Sequence, residues 1–231
     1  ASSGLAVAFA VGSGPGSISG GTNLTFTGTG SVAVVASQAG DANWNAAASA
    51  TQTFIVAKAP QAALAFAPAS PQTFGTTNAL SSSGGSGTGA VGYSIAAGLG
   101  EIVGTNGLHA LAGTGSVTVV ATKASDEIYL ATAATATVAY AKAAAQVFLL
   151  DLAQVYDGTA RTISATTLPA GLTVEFTYDG NATAPTNAGS YAATGTVNDA
   201  DWQGSAAGTL AVARAQDAIV FGATNQTYDG M

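Results

Sequence analysis

The sequence predicts an all-β chain made of small β-sandwich modules arranged head to tail. Three observations carry this. Blocks of sequence recur at long offsets. Apolar residues alternate with polar ones at period two. Turn dipeptides punctuate the chain every ~8–12 residues, the spacing of a sandwich rather than of βαβ units.

The recurrence comes first, because repeats decide how a chain of this length divides. Gly28-Thr29-Gly30-Ser31-Val32-Ala33-Val34-Val35-Ala36 returns as Gly113-Thr114-Gly115-Ser116-Val117-Thr118-Val119-Val120-Ala121. At the same offset Asp41 and Trp44 match Asp126 and Tyr129. Asp199-Ala200-Asp201-Trp202 repeats Asp41-Ala42-Asn43-Trp44, and Val212-Ala213-Arg214-Ala215 repeats Val56-Ala57-Lys58-Ala59. Tyr156-Asp157-Gly158 recurs as Tyr228-Asp229-Gly230. These anchors place a module lacking its first strand at 1–59, full modules at 60–143 and 144–215, and the first strand of a further module at 216–231.

Within these bounds the strands follow from alternation. In Thr173-Val174-Glu175-Phe176-Thr177-Tyr178 every second residue is apolar, the mark of a half-buried strand. Thr53–Lys58, Ser116–Thr122, Ser190–Val197 and Thr209–Arg214 alternate likewise and are rich in Val, Thr and aromatics. Gly-Pro at 14–15, Asn-Gly at 106–107 and Asp-Gly at 157–158, 179–180 and 229–230 are turns. Ala143–Val155 has the Ala and Leu of a helix, but its alignment with Ala218–Phe221 predicts a strand. Gly84-Gly85-Ser86-Gly87-Thr88-Gly89 reads as a flexible loop; with no Lys-Ser/Thr after it, it is not a phosphate loop.

Composition sets the limits on function. Charged residues are 7% of the chain, against roughly 25% in an average globular protein. Ala alone accounts for 53 residues, and Leu, Ile, Val and Phe together for 47 of 231, so the cores must be small. The net charge of −7 divides as 0, −1, −4 and −2 over the four segments. Five basic residues and a pI near 4.2 offer no footprint for nucleic acid or anionic lipid. No apolar run approaches the ~18 residues of a membrane span. The opening Ala-Ser-Ser-Gly-Leu lacks a signal-peptide pattern. Zero Cys excludes disulfides, thiolate zinc sites and thiol nucleophiles.

The string Ala39-Gly40-Asp41-Ala42-Asn43-Trp44-Asn45-Ala46-Ala47, followed by Thr51 to Ala59, resembles tandem bacterial Ig-like repeats, most closely the MBG type. Tyr156-Asp157-Gly158-Thr159-Ala160, Leu168-Pro169-Ala170-Gly171-Leu172-Thr173-Val174 and Asn187-Ala188-Gly189-Ser190-Tyr191 resemble the same group. In 60–143, Asp126-Glu127-Ile128-Tyr129 replaces the family's Gly-Asp-Ala-Asn-Tyr type of string. The resemblance implies tandem Ig-like β-sandwich modules with a structural or adhesive role, extracellular or on the bacterial cell surface. It implies no catalytic residues.

A few residues carry side chains capable of chemistry. His109, the single imidazole, sits on a strand without a nucleophile or orienting acid nearby in sequence. Asp199 with Asp201, or Asp126 with Glu127, could pair as glycosidase carboxylates. Because the first Asp recurs in each copy before an aromatic, a turn in which Asp caps its own backbone is the stronger reading. Calcium is the one cofactor the residues admit: Asn198, Asp199 and Asp201 supply three oxygen-bearing side chains within four positions, with Asp157 or Asp217 as further ligands. Trp44 and Trp202 share one repeated position with Tyr129. An exposed ring there stacks on a sugar, whereas a buried one anchors a core or corner, and the scarcity of large apolar residues favours the anchor. Lys58, Lys142 and Arg214 each end a module, as solvated boundary charges or as contacts between modules.

The function expected is a stalk, spacer or adhesin shaft whose partners are neighbouring modules or copies of itself. One alternative is a fibre subunit in which 216–231 donates a strand to the incomplete first module of the next copy. A carbohydrate-binding module contacting surface glycans is another. An enzyme is not expected.

Overall fold

The computed structural model describes residues 1–220, 222 and 227–231. Phe221 and Gln226, part of the strand and turn expected to open a further module, lie outside these. The described chain is all-β: its elements are strands joined by turns, without a helix. It follows that no helix is long and apolar enough to cross a membrane. Two compact units are present. One comprises Ala1–Gln72, Thr76–Ala110 and Ser116–Ala139; the other Thr73–Gly75, Leu111–Gly115 and Tyr140–Met231.

In the first unit, Gly30–Gln38 is the centre of an antiparallel sheet between Ala8–Ser13 and Ala47–Val56. Gly16–Ser19 and Asn23–Phe26 form a hairpin beside it. Val32 and Gln38 are the buried residues of 1–59, while Phe9, Phe26 and Phe54 remain partly open to water. Val91–Ala97, Ser116–Lys123 and Thr132–Ala141 form a second sheet, and Gly100–Val103, Gly107–Ala110 and Thr77–Ala79 a third. The predicted alternation of Ser116–Thr122 is seen directly, since Val117, Val119 and Ala121 are fully buried. Leu64, Leu80, Leu108, Ala110 and Val138 complete the core of 60–139. Gln72, 1% exposed, is also inside. Its amide donates to the Thr76 and Leu108 carbonyls at 2.8 and 2.7 Å, which gives the buried side chain backbone partners.

In the second unit, Ser205–Ala213 lies between Gly189–Val197 and a parallel strand, Ala153–Val155, with Val174–Tyr178 at the far edge. Gln146–Leu150 pairs with Ser164–Leu168. The stretch 143–155 is therefore strand, as the alignment predicted against helix propensity. The core is Ile163, Tyr178, Ala193, Leu210 and Val212, with Leu149, Leu152 and Phe176 packed on it. Small residues make this possible. A Cβ on Gly195 would lie 2.9 Å from Leu149 Cδ2, and one on Gly208 3.2 Å from Leu152 Cδ1. Glycine thus lets a few large side chains settle close to the sheet, which is how a chain poor in Leu and Ile still builds a dense interior.

The Asp-Gly turn at 179–180 is a tight hairpin. Asp179 and Gly180 both have positive φ (48° and 82°), and Tyr178 and Asn181 exchange backbone bonds of 2.7 and 2.9 Å. The Gly-rich string 84–89 corrects the expectation of a flexible loop. Gly87 N–H donates to Gln61 Oε1, Thr88 N–H to Asp126 Oδ2, and Ser86 Oγ accepts from Ala62 N–H. Its glycines serve close approach: a Cβ on Gly89 would sit 2.0 Å from the Ala124 carbonyl oxygen.

Candidate functional site

The residues singled out by repetition converge on one local structure, seen three times. Asp41 Oδ1 accepts the N–H groups of Asn43 and Trp44 at 2.8 and 2.9 Å. Asp126 Oδ1 accepts those of Ile128 and Tyr129 at 2.9 and 2.7 Å. Asp199 Oδ1 accepts those of Asp201 and Trp202 at 2.8 and 3.0 Å. Each is an Asx turn that aims an aromatic from its fourth position. The departure at Glu127-Ile128 leaves the turn intact, because the bonds run from the Asp side chain to backbone.

Asp126 is the most heavily bonded of the three. The N–H groups of Tyr129, Thr88 and Ile128 hold its carboxyl down at about 2, because they stabilise the ionised form.

Two of the turns receive the end of an earlier strand. In the first unit, Ala59 N–H donates to the Ile128 carbonyl at 2.8 Å, and Leu130 N–H returns a bond to the Ala59 carbonyl at 2.8 Å. Ala59 and Tyr129 make a parallel bridge, and Thr29 Oγ1 donates to the Glu127 carbonyl. In the second unit, Ala143 N–H donates to the Asp201 carbonyl at 2.9 Å, and Ala143–Ala144 runs parallel to Trp202–Gln203. Lys142 Nζ donates to the Asp199 carbonyl at 2.5 Å, and Gly113 N–H to Asp201 Oδ1 at 2.7 Å. The Trp202 ring stands edge-on to Phe74 with centroids 5.7 Å apart.

The three proposed calcium ligands are thus directed to separate partners. Asp199 caps its turn, Asp201 accepts from Gly113, and Asn198 Nδ2 donates to Glu175 Oε1 at 2.6 Å. Among the described residues, no three His, Cys, Asp or Glu side chains come together as a metal site. The two tryptophans part company. Trp202 is half-buried against Phe74, as an anchor should be, but Trp44 is 54% exposed, correcting the core reading for that ring. The difference lies in its surroundings: among the described residues no parallel strand runs beside Trp44 as Ala143–Ala144 runs beside Trp202. Its open face can stack on a sugar or on another polypeptide.

The fold also assembles a row that the sequence did not suggest. Across three strands, Glu101 lies opposite His109 and His109 opposite Thr77, with Thr77 Oγ1 2.9 Å from His109 Nδ1. Thr77 and Glu101 are exposed and His109 half-buried. In open water this row makes an ordinary solvated hydrogen bond, not an enclosed nucleophile and base. Period-two spacing could have put each residue on a face, but only strand order brings them together.

Among protein families, residues 145–216 match the MBG domain. No curated protein matches the chain. Among solved structures, sidekick-1 immunoglobulin domains 1–5 align at 14% identity with a TM-score of 0.32, over 90% of this chain and 52% of that one. The chain therefore spans about half the length of that structure.

Proposed function

We propose that the chain is a run of structural modules from a bacterial surface or secreted protein, serving as stalk, spacer or adhesin shaft and not as an enzyme. The observation that carries this is the repeated seam. Ala59 and Ala143 each donate to the carbonyl two residues after a capping Asp; with the module bounds taken from the sequence repeats, the same main-chain bond would latch the end of one module to a turn of the next. Such seams restrict bending without using catalytic chemistry. The MBG match over 145–216 supports the class, and the surface location is proposed from the family resemblance.

Two measurements test the reading. Protease applied to intact source cells releases peptides ending at Lys58, Lys142 or Arg214 if the array is outside; release only after lysis refutes the location. In single-molecule pulling, the module matched over 145–216 spans 72 residues. It should lengthen by about 260 Å less its folded span, at ~3.6 Å per residue. A featureless extension curve refutes a mechanical array.

The second reading, strand donation by 216–231, draws on the Ala47–Val56 strand. It pairs with Gly30–Gln38 and is exposed at every residue but Val56. A strand with one open edge is a template for another chain. Light scattering on the chain with and without 216–231 decides it: a monomer in both cases refutes donation.

A further inference from the structure

In the second unit, the hairpin turn at 179–180 and the loop that follows it enclose a cleft of about 400 Å³. We propose that this cleft binds a neutral sugar residue.

The cleft is built before any ligand arrives. Asp179 opens the turn with positive φ, and its Oδ1 accepts the Ala192 N–H at 2.7 Å. The loop facing it is tied down along its length. The Pro185 carbonyl accepts the Arg161 N–H at 2.8 Å, Ala184 packs on the core, and the Asn187 carbonyl accepts the Tyr191 hydroxyl at 2.9 Å. Gly189 leaves room for that last bond: a Cβ there would lie 3.0 Å from the Tyr191 hydroxyl oxygen and 3.2 Å from its ring. Walls held in this way need little further ordering when a ligand binds. The volume falls at the small end of ligand clefts, which span about 300–1,000 Å³.

The lining selects the ligand. Asp179, Asn181, Thr183, Thr186 and Asn187 bring a carboxylate, two amides and two hydroxyls to one hollow, beside the Tyr191 ring. None of the lining residues is Lys, Arg or His, so phosphate, sulfate and carboxylate ligands find no counter-charge. A single carboxylate with one oxygen on a backbone N–H falls well short of the oxygen shell that calcium takes. What remains is a neutral ligand rich in hydroxyls. Amides and threonine hydroxyls both donate and accept, as do adjacent hydroxyls on a sugar ring. Asn181 is exposed, and its Nδ2 donates to the Asp179 carbonyl only at 3.4 Å, a weak bond that a ligand can replace. The Tyr191 hydroxyl is committed to Asn187, which leaves the half-buried ring to meet the C–H face of the sugar.

This inference goes beyond the structural role and holds whether or not the modules form an array. In its test, the whole isotopically labelled chain is titrated with the methyl glycosides of glucose, galactose, mannose and N-acetylglucosamine and followed by NMR. At least one glycoside should move the backbone amides of Asn181, Thr183, Thr186 and Asn187 and saturate with a Kd of about 1 mM. Asn181→Ala combined with Thr186→Ala should weaken that Kd about ten-fold or more, because each change removes a hydrogen-bonding group. Thr186→Val keeps the side-chain shape and removes only the hydroxyl, so it should weaken binding even if the double variant unsettles the loop. Trp44→Ala should leave the Kd unchanged. Sodium phosphate and calcium chloride should leave the four amides in place. Silence across the glycosides overturns the proposal, as does a Kd that the double variant and Thr186→Val both keep. Loss of binding in Trp44→Ala overturns it in favour of the Asp41 turn. Shifts produced by phosphate or calcium but not by a glycoside overturn it in favour of an ion site.

Discussion

Gly113→Ala probes the second seam with the smallest change available. Gly113 N–H donates to Asp201 Oδ1 at 2.7 Å. A Cβ at this position would lie 2.5 Å from Asp201 Cα and 2.8 Å from its carbonyl oxygen. Those are backbone atoms, so no rotamer relieves the overlap, and the two segments must separate. Overpacking of this kind costs about 1–3 kcal/mol. The bond to the Asp201 carboxylate is lost with it, but the freed group returns to water, so the total stays near about 2 kcal/mol. With a urea m-value of about 1–3 kcal/mol/M, the midpoint falls by about 1 M. Trp202 reports the change in a Trp44→Phe background, and its emission should shift to the red as the ring leaves Phe74. Two glycines calibrate the result. Gly92 has no heavy atom within 4 Å of its would-be Cβ, so Gly92→Ala should stay within about 0.5 kcal/mol of the parent. Gly28, the sequence counterpart of Gly113, meets only the Pro15 side chain, at 3.1 Å, and should tolerate Ala far better. A Gly113→Ala chain with the parent's midpoint and Trp202 spectrum would refute the close seam.

Other expectations follow from burial and protonation. Leu210 is fully buried among Ile163, Tyr178 and Val212, so Leu210→Ala should cost about 2–5 kcal/mol in urea unfolding. Gln72→Leu removes the amide donor to the Leu108 carbonyl and one of two donors to the Thr76 carbonyl, which keeps the Ala110 N–H, so it should cost about 1–3 kcal/mol, measured by thermal melting. Asp126 has a folded-state pKa lowered to about 2, so its contribution is complete above the ordinary carboxylate value and is lost as pH falls from about 4 toward 2. The stability difference between the parent and Asp126→Asn should shrink over that window in acid titrations of the urea midpoint; a constant difference would refute the capping role. Burial pushes the Tyr140 hydroxyl up, so Tyr140 favours the fold fully below about pH 10 and its contribution fades as pH rises further. Tyr140→Phe should flatten the alkaline limb of the stability curve.

The strands were legible because their signal is local. Val117, Val119 and Ala121 alternate in sequence and are buried in the fold. The Asx turns were legible because one Asp-to-aromatic spacing recurs, and the bonds it makes span only two or three residues. Long-range placement was not legible. Gln72 reads as a surface residue until strand order puts it under Leu108. The Gly-rich 84–89 string reads as slack because nothing local shows that Ala124 and Asp126 press against it. Trp44 and Trp202 are the same letter at the same repeat position, and only their neighbours differ.

The seams at Ala59 and Ala143 are closed largely by peptide groups, which every residue except proline carries in full. Mating of this sort is indifferent to most side-chain drift on either face. Each seam should close as long as an Asp cap and a small residue stand there, whatever the other side chains around it become.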